Sequence, residues 1–431
     1  MLRIPGDEVS YPYFSTHNLI YDSPEKMKYV VVLGDGMSDH PIHELGDRTP
    51  LEAASTPNMD YIARKGRCGL LRTLREGLPS GSDVANLVVL GYDPEKYHPG
   101  GRAPLEAAAM GVGLRQGETA FRCNLITVED GRIKDHSGGH ISSGEGRQLI
   151  KLIDDRFGCK EIKFHPGISY RNLLILGDEY NDKVKCTPPH DIIGGRMDEH
   201  MVESIGDKLN PTADLLNKMI RESMNLLDKH TVNLRREEKG IYKANCIWFW
   251  GQGGPLNLPS FRDKYNISGA LISAVDLLKG IGVCLGMDVP DVPGATGYLD
   301  TSYENKAKYA LDALQKNDFV YVHVESTDEA SHEGSIEKKI KALEDLDARL
   351  IGRIIKGLNE IGDDVCLAVL PDHSTPIKRR THSFDLVPFA IYNPELKGDG
   401  VDKYTEKEAA SGYYGVRDGL DFIRLLLAEH D

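Results

Sequence analysis

The stretch Leu370-Pro371-Asp372-His373-Ser374-Thr375 places a carboxylate and an imidazole directly after a run of apolar residues. That run, D-D-V-C-L-A-V-L over residues 363–370, has the length and composition of a buried β-strand. His382 follows a short loop further along the chain. The sequence therefore predicts that Asp372 and His373 lie at the carboxyl end of a buried strand.

Two other apolar runs end in the same way. Residues 29–33 (Y-V-V-V-L) lead into Asp35, and residues 318–324 (D-F-V-Y-V-H-V) lead into Asp328, with His332 four residues later. Because ligand crevices of open parallel sheets form beyond the carboxyl ends of the strands, we expect these polar side chains to meet. Asp together with His suits Mn²⁺ or Zn²⁺, whereas carboxylates alone would leave Mg²⁺ or Ca²⁺ open.

Length and composition limit the class of protein. A chain of 431 residues, 40% hydrophobic and 27% charged, is typical of a soluble globular protein of two or three domains. No apolar run approaches the 18 residues of a membrane span. The net charge of −14 argues against nucleic acid and anionic membranes as partners. A small anionic substrate remains compatible if metal ions, Arg or Lys reverse the field in one pocket.

The cysteines and the N-terminus indicate the compartment. Seven cysteines, an odd number without a C-x-x-C pair, predict a reduced, cytoplasmic protein. Residues 1–26 lack an apolar signal-peptide core and are interpreted as an N-terminal extension, with a short docked arm as the alternative. The fold is expected to begin at Met27. The oligomeric state stays open.

Two segments near the N-terminus predict helices. Thr56, Pro57 and Gly66 have the residue types of an N-cap, a first helical position and a helix end. Further on, Ser82 follows Ser80-Gly81 and precedes an apolar helical run. A helix N-terminus would direct Ser82 to a position where free N–H groups favour a phosphate or an alkoxide. A plain serine cap is the alternative.

The character of the chain changes between residues 118 and 265. Strand-like pieces at residues 172–176 and 246–250 are separated there by a polar helix pair at roughly residues 211–227. Since candidate metal ligands lie on both sides of this region, we expect an α/β cap domain inserted into a core formed by residues 27–117 and 266–431.

The C-terminal part predicts regular core elements. Residues 335–358 form the best amphipathic helix pattern, which predicts the crossover of a right-handed βαβ unit between the strands that begin near residues 318 and 363. Residues 386–392 are expected to form a further strand, and residues 419–427 a closing helix.

The candidate ligands suit one kind of chemistry. Two divalent ions beside a Ser hydroxyl can activate it and stabilise a transferring phosphoryl group. Two ions need roughly six or seven ligands. The sequence offers Asp35, Ser82, Asp328, His332, Asp372, His373 and His382. Each has a structural alternative, such as a turn residue or a surface histidine, but three strand ends of the same kind favour the set as a whole.

Four motifs carry a family resemblance: M-K-Y-V-V-V-L-G-D-G-M, G-S-D-V-A-N-L-V-V-L-G-Y-D-P, H-V-E-S-T-D-E-A-S-H-E-G, and P-D-H-S-T-P with a later T-H. They resemble the alkaline phosphatase superfamily, and within it the archaeal-type cofactor-independent phosphoglycerate mutases. The similarity extends over essentially the whole chain from Met27.

The resemblance implies an α/β fold in which a mostly parallel sheet flanked by helices carries an inserted substrate-binding cap. It implies that Ser82 takes the phosphoryl group of 3-phosphoglycerate and returns it to the 2-hydroxyl. It further implies two divalent ions, Mn²⁺ first, with Mg²⁺ or Zn²⁺ as alternatives. One ion would be held by Asp35, Ser82, Asp372 and His373, and the other by Asp328, His332 and His382.

Other functions stay open at this point. Asn86 stands where such mutases commonly carry His, and Asn cannot be a cation or a proton shuttle. A bacterial branch of the family is described as proposed homoserine kinase, although the sequence has no G-x-x-x-x-G-K-[ST] loop for a nucleotide. A metal-dependent phosphatase or sulfatase-like hydrolase, and a metal-binding scaffold without turnover, are further alternatives.

Candidate residues for a small phosphorylated substrate come mostly from the cap. Arg171 could bind a carboxylate or phosphate in bidentate fashion. The other candidates share polar or cationic side chains: His136, His140, His190 and Asp191 for hydroxyl or carboxylate groups, and Arg102 for phosphate. Lys306 resembles a family lysine near the phosphate. A surface or structural role is the alternative for each.

Overall fold

A computed structural model describes residues 27–206, 210–361 and 364–428. The predicted N-terminal extension, residues 1–26, lies outside the described residues.

The described residues form strands and α-helices, which are numbered in chain order. The strands are β1 Lys28–Gly34, β2 Arg67–Arg72, β3 Thr119–Glu129, β4 Arg132–Asp135, β5 Ile162–His165, β6 Arg171–Leu176, β7 Val184–Lys185, β8 Glu203–Ser204, β9 Cys246–Gly253, β10 Gly269–Ile272, β11 Phe319–Val324, β12 Val365–Leu370, β13 Val387–Tyr392 and β14 Gly415–Asp418. The α-helices are α1 Pro50–Ala53, α2 Pro57–Lys65, α3 Ser82–Val89, α4 Pro94–Tyr97, α5 Ala103–Ala109, α6 Ser143–Phe157, α7 Pro211–Leu227, α8 Thr231–Glu238, α9 Phe261–Tyr265, α10 Asp276–Cys284, α11 Tyr303–Leu314, α12 Ser326–His332, α13 Ile336–Asp345, α14 Gly352–Ile361, α15 Glu406–Ala409 and α16 Phe422–Ala428.

The larger sheet has seven strands in the order β10-β11-β1-β12-β13-β2-β14 among the described residues. Strands β10, β11, β1 and β12 run parallel, and β13 is antiparallel to both of its neighbours. This mostly parallel sheet, with helices against it, confirms the predicted α/β fold class.

The central strands are buried on both faces, as their unbroken apolar runs predict. In β1, Val31 packs into one hydrophobic core together with Leu278 of α10. Its neighbour Val30 packs into a second core with Ile354 of α14. Two layers of helices therefore cover the sheet, and only the ends of its strands remain for polar chemistry.

The helix predicted at residues 335–358 forms and continues to residue 361, with a π-helical segment, Leu346–Ile351, between α13 and α14. It connects β11 to β12, but these strands do not form an adjacent pair. Val31 of β1 pairs with Tyr321 on one side and with Ala368 on the other, so β1 lies between them. The predicted crossover helix between these two parallel strands is thus confirmed, and β1 occupies the position between them because it pairs along both of its edges.

The second sheet contains β4, β3, β6 and β5 in that order, and β9 pairs with the other edge of β3. It has its own hydrophobic core, to which Leu216 of α7 and Trp248 of β9 contribute. The helix pair predicted at residues 211–227 is instead one helix, α7, followed by α8. Phe261 of α9 packs in the core of the larger sheet.

Other local predictions agree closely with the structure. Helix α2 begins at Pro57 and is closed by Gly66, although Thr56 occupies the N-cap position without a side-chain hydrogen bond. The strand expected at residues 386–392 is β13, and the closing helix is a 3₁₀ turn followed by α16. Among the described helices, none has both the length and the apolar composition needed to cross a membrane.

Candidate metal centre and active-site cavity

Three neighbouring strands direct polar residues to one edge of the larger sheet. Asp35 follows β1, Glu325 follows β11, and Asp372 follows β12. Because the three strands are adjacent and parallel, these residues emerge side by side. Helix α12 then carries Asp328 and His332 over the same edge.

An outer group of candidate ligands consists of Asp328, His332 and His382. His332 Nε2 lies 3.0 Å from Asp328 Oδ2, and His382 Nε2 lies 3.7 Å from Asp328 Oδ1. The two Nε2 atoms are 3.2 Å apart. The three side chains can therefore face a single ion.

Hydrogen bonds outside this group orient both imidazoles. His332 Nδ1 donates to the carbonyl of Arg380 at 2.9 Å, and His382 Nδ1 donates to the carbonyl of Ser80 at 2.5 Å. A carbonyl only accepts, so each Nδ1 carries a proton and each Nε2 faces Asp328. This arrangement is typical of metal-binding histidines. The hydrogen bond to Asp328 raises the pKa of His332 to about 9.

An inner group consists of Asp35, Ser82, Asp372 and His373. His373 Nε2 lies 3.2 Å from Ser82 Oγ, 3.3 Å from Asp35 Oδ1 and 3.6 Å from Asp372 Oδ2. The Ser82 hydroxyl lies within hydrogen-bond distance of two acceptors, Asp35 Oδ2 at 3.3 Å and His373 Nε2, and its one proton can be donated to either. Asp35, Asp372 and His373 are fully buried, and Asp35 Oδ1 accepts no hydrogen bond from any residue that the structure describes.

The electrostatics of the inner group favour bound cations. Burial, together with the charges of Asp372, Glu325 and Asp328, raises the pKa of Asp35 well above its usual range. Several carboxylates converging in a buried place repel one another unless positive charge lies between them. A carboxylate oxygen without a hydrogen bond, surrounded by Asp, His and Ser oxygen and nitrogen atoms, fits a divalent cation such as Mn²⁺ or Zn²⁺.

Ser82 is the first residue of α3, and Gly81 is the N-cap. Ser82 makes no capping hydrogen bond, because its side chain contacts Asp35 and His373 instead. The plain serine cap is therefore not what the structure contains. Ser82 is also in the wall of a cavity, so its oxygen can meet a small molecule there.

His323 and Glu325 contact the inner group and were missed in the sequence. His323 Nε2 lies 2.9 Å from Asp35 Oδ2 and 3.6 Å from Glu325 Oε2. Burial and then the charge of Lys306 lower the pKa of His323 to about 3, so a neutral ring donates to Asp35. The available signal was a histidine inside an otherwise apolar strand and a glutamate at its end.

Asn86 lies one helical turn after Ser82 and is fully buried. Its Nδ2 donates to the Ser82 carbonyl and to Asp372 Oδ2, both at 2.8 Å. The Tyr321 hydroxyl donates to Asn86 Oδ1 at 2.7 Å. Asn86 therefore holds one carboxylate of the inner group from behind.

A cavity of about 520 Å³ lies between the two sheets, above both groups. Its wall from the larger sheet includes Ser82, Asp328, His332 and His382. The opposite wall carries arginine, aromatic, imidazole and amide side chains, which are Arg122, Asn124, His136, Tyr170, Arg171, His190 and Trp250. The cavity therefore places positive and hydrogen-bonding groups opposite the candidate ligands, as a small anion requires.

Arg122 is a cavity residue that the sequence analysis did not identify. It stacks on Trp250 at 4.0 Å from the ring centroid, and its Nε lies 3.0 Å from Glu106 Oε2. Its signal was an arginine between two apolar residues of β3, Phe121 and Cys123. Since Glu106 belongs to α5, this ion pair joins the second sheet to a helix that precedes it.

The predicted substrate residues fall into two sets. Arg102, His136, Arg171 and His190 line the cavity, with the His136 and His190 ring centroids 6.2 Å apart. In the part of the chain that the structure describes, the cavity wall does not include His140, Asp191 or Lys306. His140 and Asp191 are exposed, whereas Lys306 is buried and donates to the His323 carbonyl at 3.0 Å. Burial lowers the pKa of Lys306 to about 8.

Comparison with known proteins finds related sequences along nearly the whole chain. Residues 63–233 match the family described as 2,3-bisphosphoglycerate-independent phosphoglycerate mutase. A protein of that name from Methanosarcina barkeri is 52% identical over 402 residues, which cover 93% of this chain and 99% of the relative. A probable 2,3-bisphosphoglycerate-independent phosphoglycerate mutase from Geobacter sulfurreducens is 47% identical over 93% of this chain and 100% of the relative.

Two solved structures are similar over nearly their full length. A protein from Pyrococcus horikoshii has a TM-score of 0.77 at 31% identity, covering 94% of this chain and 97% of its own. A cofactor-independent phosphoglycerate mutase from Thermoplasma acidophilum has a TM-score of 0.66 at 28% identity, covering 94% and 99% respectively.

Proposed function

The chain belongs to the 2,3-bisphosphoglycerate-independent phosphoglycerate mutase family, and from that premise we propose that it interconverts 3-phosphoglycerate and 2-phosphoglycerate by metal-dependent phosphoryl transfer through a phosphoserine. The observation that carries the proposal is the position of Ser82 Oγ. It lies within 3.3 Å of Asp35 and His373 and also faces the cavity. A nucleophile thus adjoins both a candidate cation site and a space for substrate.

The inner group, Asp35, Ser82, Asp372 and His373, would hold one divalent ion, and the outer group, Asp328, His332 and His382, the other. When bound, such ions lower the pKa of a serine hydroxyl and stabilise the charge of the transferring phosphoryl oxygens. Mn²⁺ suits the mixture of carboxylate and imidazole donors, with Mg²⁺ and Zn²⁺ as alternatives.

Ser82 exchanges one phosphoester for another in two steps. Its oxygen bonds to phosphorus, the bond to the substrate 3-oxygen breaks, and the serine proton ends on the 3-hydroxyl of glycerate. The 2-oxygen of the retained glycerate then bonds to phosphorus and releases Ser82, whose oxygen regains a proton. Neither water nor a second phosphoryl donor is consumed.

Residues 118–265 would act as the substrate-binding cap. Arg122 and Arg171, with Arg102 from the neighbouring segment, are suited to hold carboxylate and phosphate, because guanidinium groups bind both in bidentate fashion. His136 and His190 would contact the hydroxyl groups. A mutase must keep water away from the phosphoserine, so the cap would close over the cavity during turnover.

A product assay tests the proposal. Purified protein with Mn²⁺ is given 3-phosphoglycerate without 2,3-bisphosphoglycerate, and 2-phosphoglycerate is the expected product. A parallel reaction contains homoserine and ATP. Phosphohomoserine there would instead indicate a kinase, and free phosphate released from 3-phosphoglycerate would indicate a hydrolase. Either of these products without 2-phosphoglycerate would contradict the proposal.

A further inference from the structure

One buried hydroxyl contacts a member of each candidate metal group. Thr375 is fully buried, and its Oγ1 donates to Asp328 Oδ1 at 2.6 Å. The same oxygen lies 3.1 Å from His373 Nδ1. Asp328 belongs to the outer group and His373 to the inner group. The side chain of Thr375 therefore lies between the two groups, behind the atoms that face the cations.

Proton counting sets the direction of these two hydrogen bonds. A threonine hydroxyl has one proton, and an ionised carboxylate only accepts. The Thr375 hydroxyl therefore donates its proton to Asp328, and Thr375 Oγ1 can only accept a hydrogen bond from His373. This requires the proton of a neutral His373 ring to be on Nδ1. The Nε2 lone pair then faces Ser82 and Asp35, where it can accept the Ser82 hydroxyl proton or bind a cation.

We propose that Thr375 is a positioning residue for both cation sites: its hydroxyl fixes the Nδ1–H tautomer of His373 and, with the same atom, holds the Asp328 carboxylate. The inference rests on the two-cation function proposed above. It assigns to the Thr of the P-D-H-S-T-P segment a role in phosphoryl transfer without contact to the substrate.

Two neighbouring residues, Lys339 and Gly36, keep Thr375 in this position. Lys339 Nζ donates to the Thr375 carbonyl at 3.0 Å and to the Ser38 carbonyl at 3.2 Å. On the other side, Gly36 has a φ of +59°, and a Cβ there would lie 2.5 Å from Thr375 Oγ1 and 2.4 Å from Asp328 Oδ1. Only glycine leaves room for the Thr375–Asp328 hydrogen bond at this turn.

The test compares removal and retention of the hydroxyl. Thr375→Val and Thr375→Ala both remove it, with different side-chain volumes, so the test does not depend on the folding of one variant. Thr375→Ser retains it. Thr73→Val is the matched control, because Thr73 is also buried and its hydroxyl has no hydrogen-bond partner within the described part of the chain. Thermal melting in the presence of chelator checks that each metal-free protein is folded.

Two readouts are independent of turnover. Long-range ¹H–¹⁵N correlation spectra of metal-free protein labelled at histidine report which nitrogen of His373 carries the proton, with His373→Gln to assign the signal. Competition with a chelator gives the number of bound Mn²⁺ ions and the affinity of each. We expect Nδ1–H in the parent, Thr375→Ser and Thr73→Val, and an Nε2–H population in Thr375→Val and Thr375→Ala.

We expect the loss of the hydroxyl to weaken both Mn²⁺ affinities by about 10- to 100-fold, as is usual for outer hydrogen-bond partners of ligands. Thr375→Ser should restore both. Unchanged affinities, weakening of only one ion, or an unchanged tautomer in both Thr375→Val and Thr375→Ala would overturn the inference while the parent still binds two ions and makes 2-phosphoglycerate. A parent that binds fewer than two ions would overturn both this inference and the two-cation function.

Discussion

Asn86 Nδ2 donates a hydrogen bond to Asp372 Oδ2 at 2.8 Å, although 286 positions separate the two residues in the chain. The helix that begins with Ser82 therefore also holds a carboxylate at the end of β12. The resemblance to mutases with histidine at this position raised doubt about Asn86. An amide can nevertheless do what the geometry requires, which is to donate to Asp372 and accept from Tyr321.

Asn86→Ala should weaken Mn²⁺ binding and lower kcat. The substitution leaves the Tyr321 hydroxyl and one hydrogen-bonding position of Asp372 without a partner, and loss of such a contact typically costs 10- to 100-fold in metal affinity. Chelator competition and steady-state kinetics measure the two effects. Tyr321→Phe is the control, because it removes one hydrogen bond of Asn86 but leaves the contact with Asp372. Its effect should be smaller than that of Asn86→Ala, and the reverse order would contradict the role given to Asn86.

Ser82→Ala should abolish phosphoryl transfer while the protein still binds metal. Loss of a nucleophile lowers kcat by about 10⁴-fold or more. The remaining ligands, Asp35, Asp372 and His373, still surround the inner site. Isotopic phosphate from labelled substrate should appear on the parent protein and not on this variant. Ser223→Ala is the control, because Ser223 is a buried serine in the core of the second sheet. Turnover of Ser82→Ala at the parent rate would mean that the nucleophile is another residue.

His332→Ala should reduce the Mn²⁺ stoichiometry from two to one. The outer group then retains only Asp328 and His382. Ions that bind the folded protein stabilise it, by about 2.7 kcal/mol for each site at 100 times its dissociation constant. The rise in Tm on addition of Mn²⁺ should therefore be smaller in this variant than in the parent. His140→Ala, at an exposed histidine outside the cavity wall, is the control. Two ions bound with the parent's affinity would exclude His332 as a ligand.

Lys339→Met should lower the free energy of unfolding of the part of the chain around the larger sheet. Lys339 is fully buried and pairs with Asp39 Oδ2 at 2.9 Å. Removal of one member of a buried ion pair leaves an uncompensated charge and typically costs about 3–5 kcal/mol. Urea unfolding of the metal-free protein measures the change. Lys151→Met breaks an exposed pair with Asp155 and should leave the unfolding midpoint unchanged. Equal effects of the two substitutions would contradict the importance of burial.

The convergence of the three strand ends was predictable, because each apolar run is followed at once by a carboxylate. The order of the strands was not. The apolar pattern of residues 29–33 predicts a buried strand. No feature of that segment indicates that β1 pairs with both β11 and β12. Such pairing depends on packing between segments that are distant in sequence, which a local pattern does not contain.

The cap shows the same limit at the level of single residues. His136 and His140 are equally plausible in the sequence, yet only His136 reaches the cavity wall among the described residues. His140 follows Gly138-Gly139 and has a φ of +50°, a turn conformation that leaves its side chain exposed. Arg122 lies in a buried strand, where a sequence pattern predicts core packing and not contact with a ligand. Its position in the cavity wall depends on its contacts with Trp250 and Glu106, which are distant in the sequence.

The central position of β1 has a consequence for protein synthesis. Its partners β11 and β12 begin at Phe319 and Val365. Neither edge of β1 can therefore pair with its partner strand until most of the chain has been synthesised. The strands of the second sheet all lie between Thr119 and Gly253 and can pair with one another before then. The translation order thus favours early folding of the second sheet and late completion of the larger sheet, and until then the apolar β1 has two open edges through which it can aggregate.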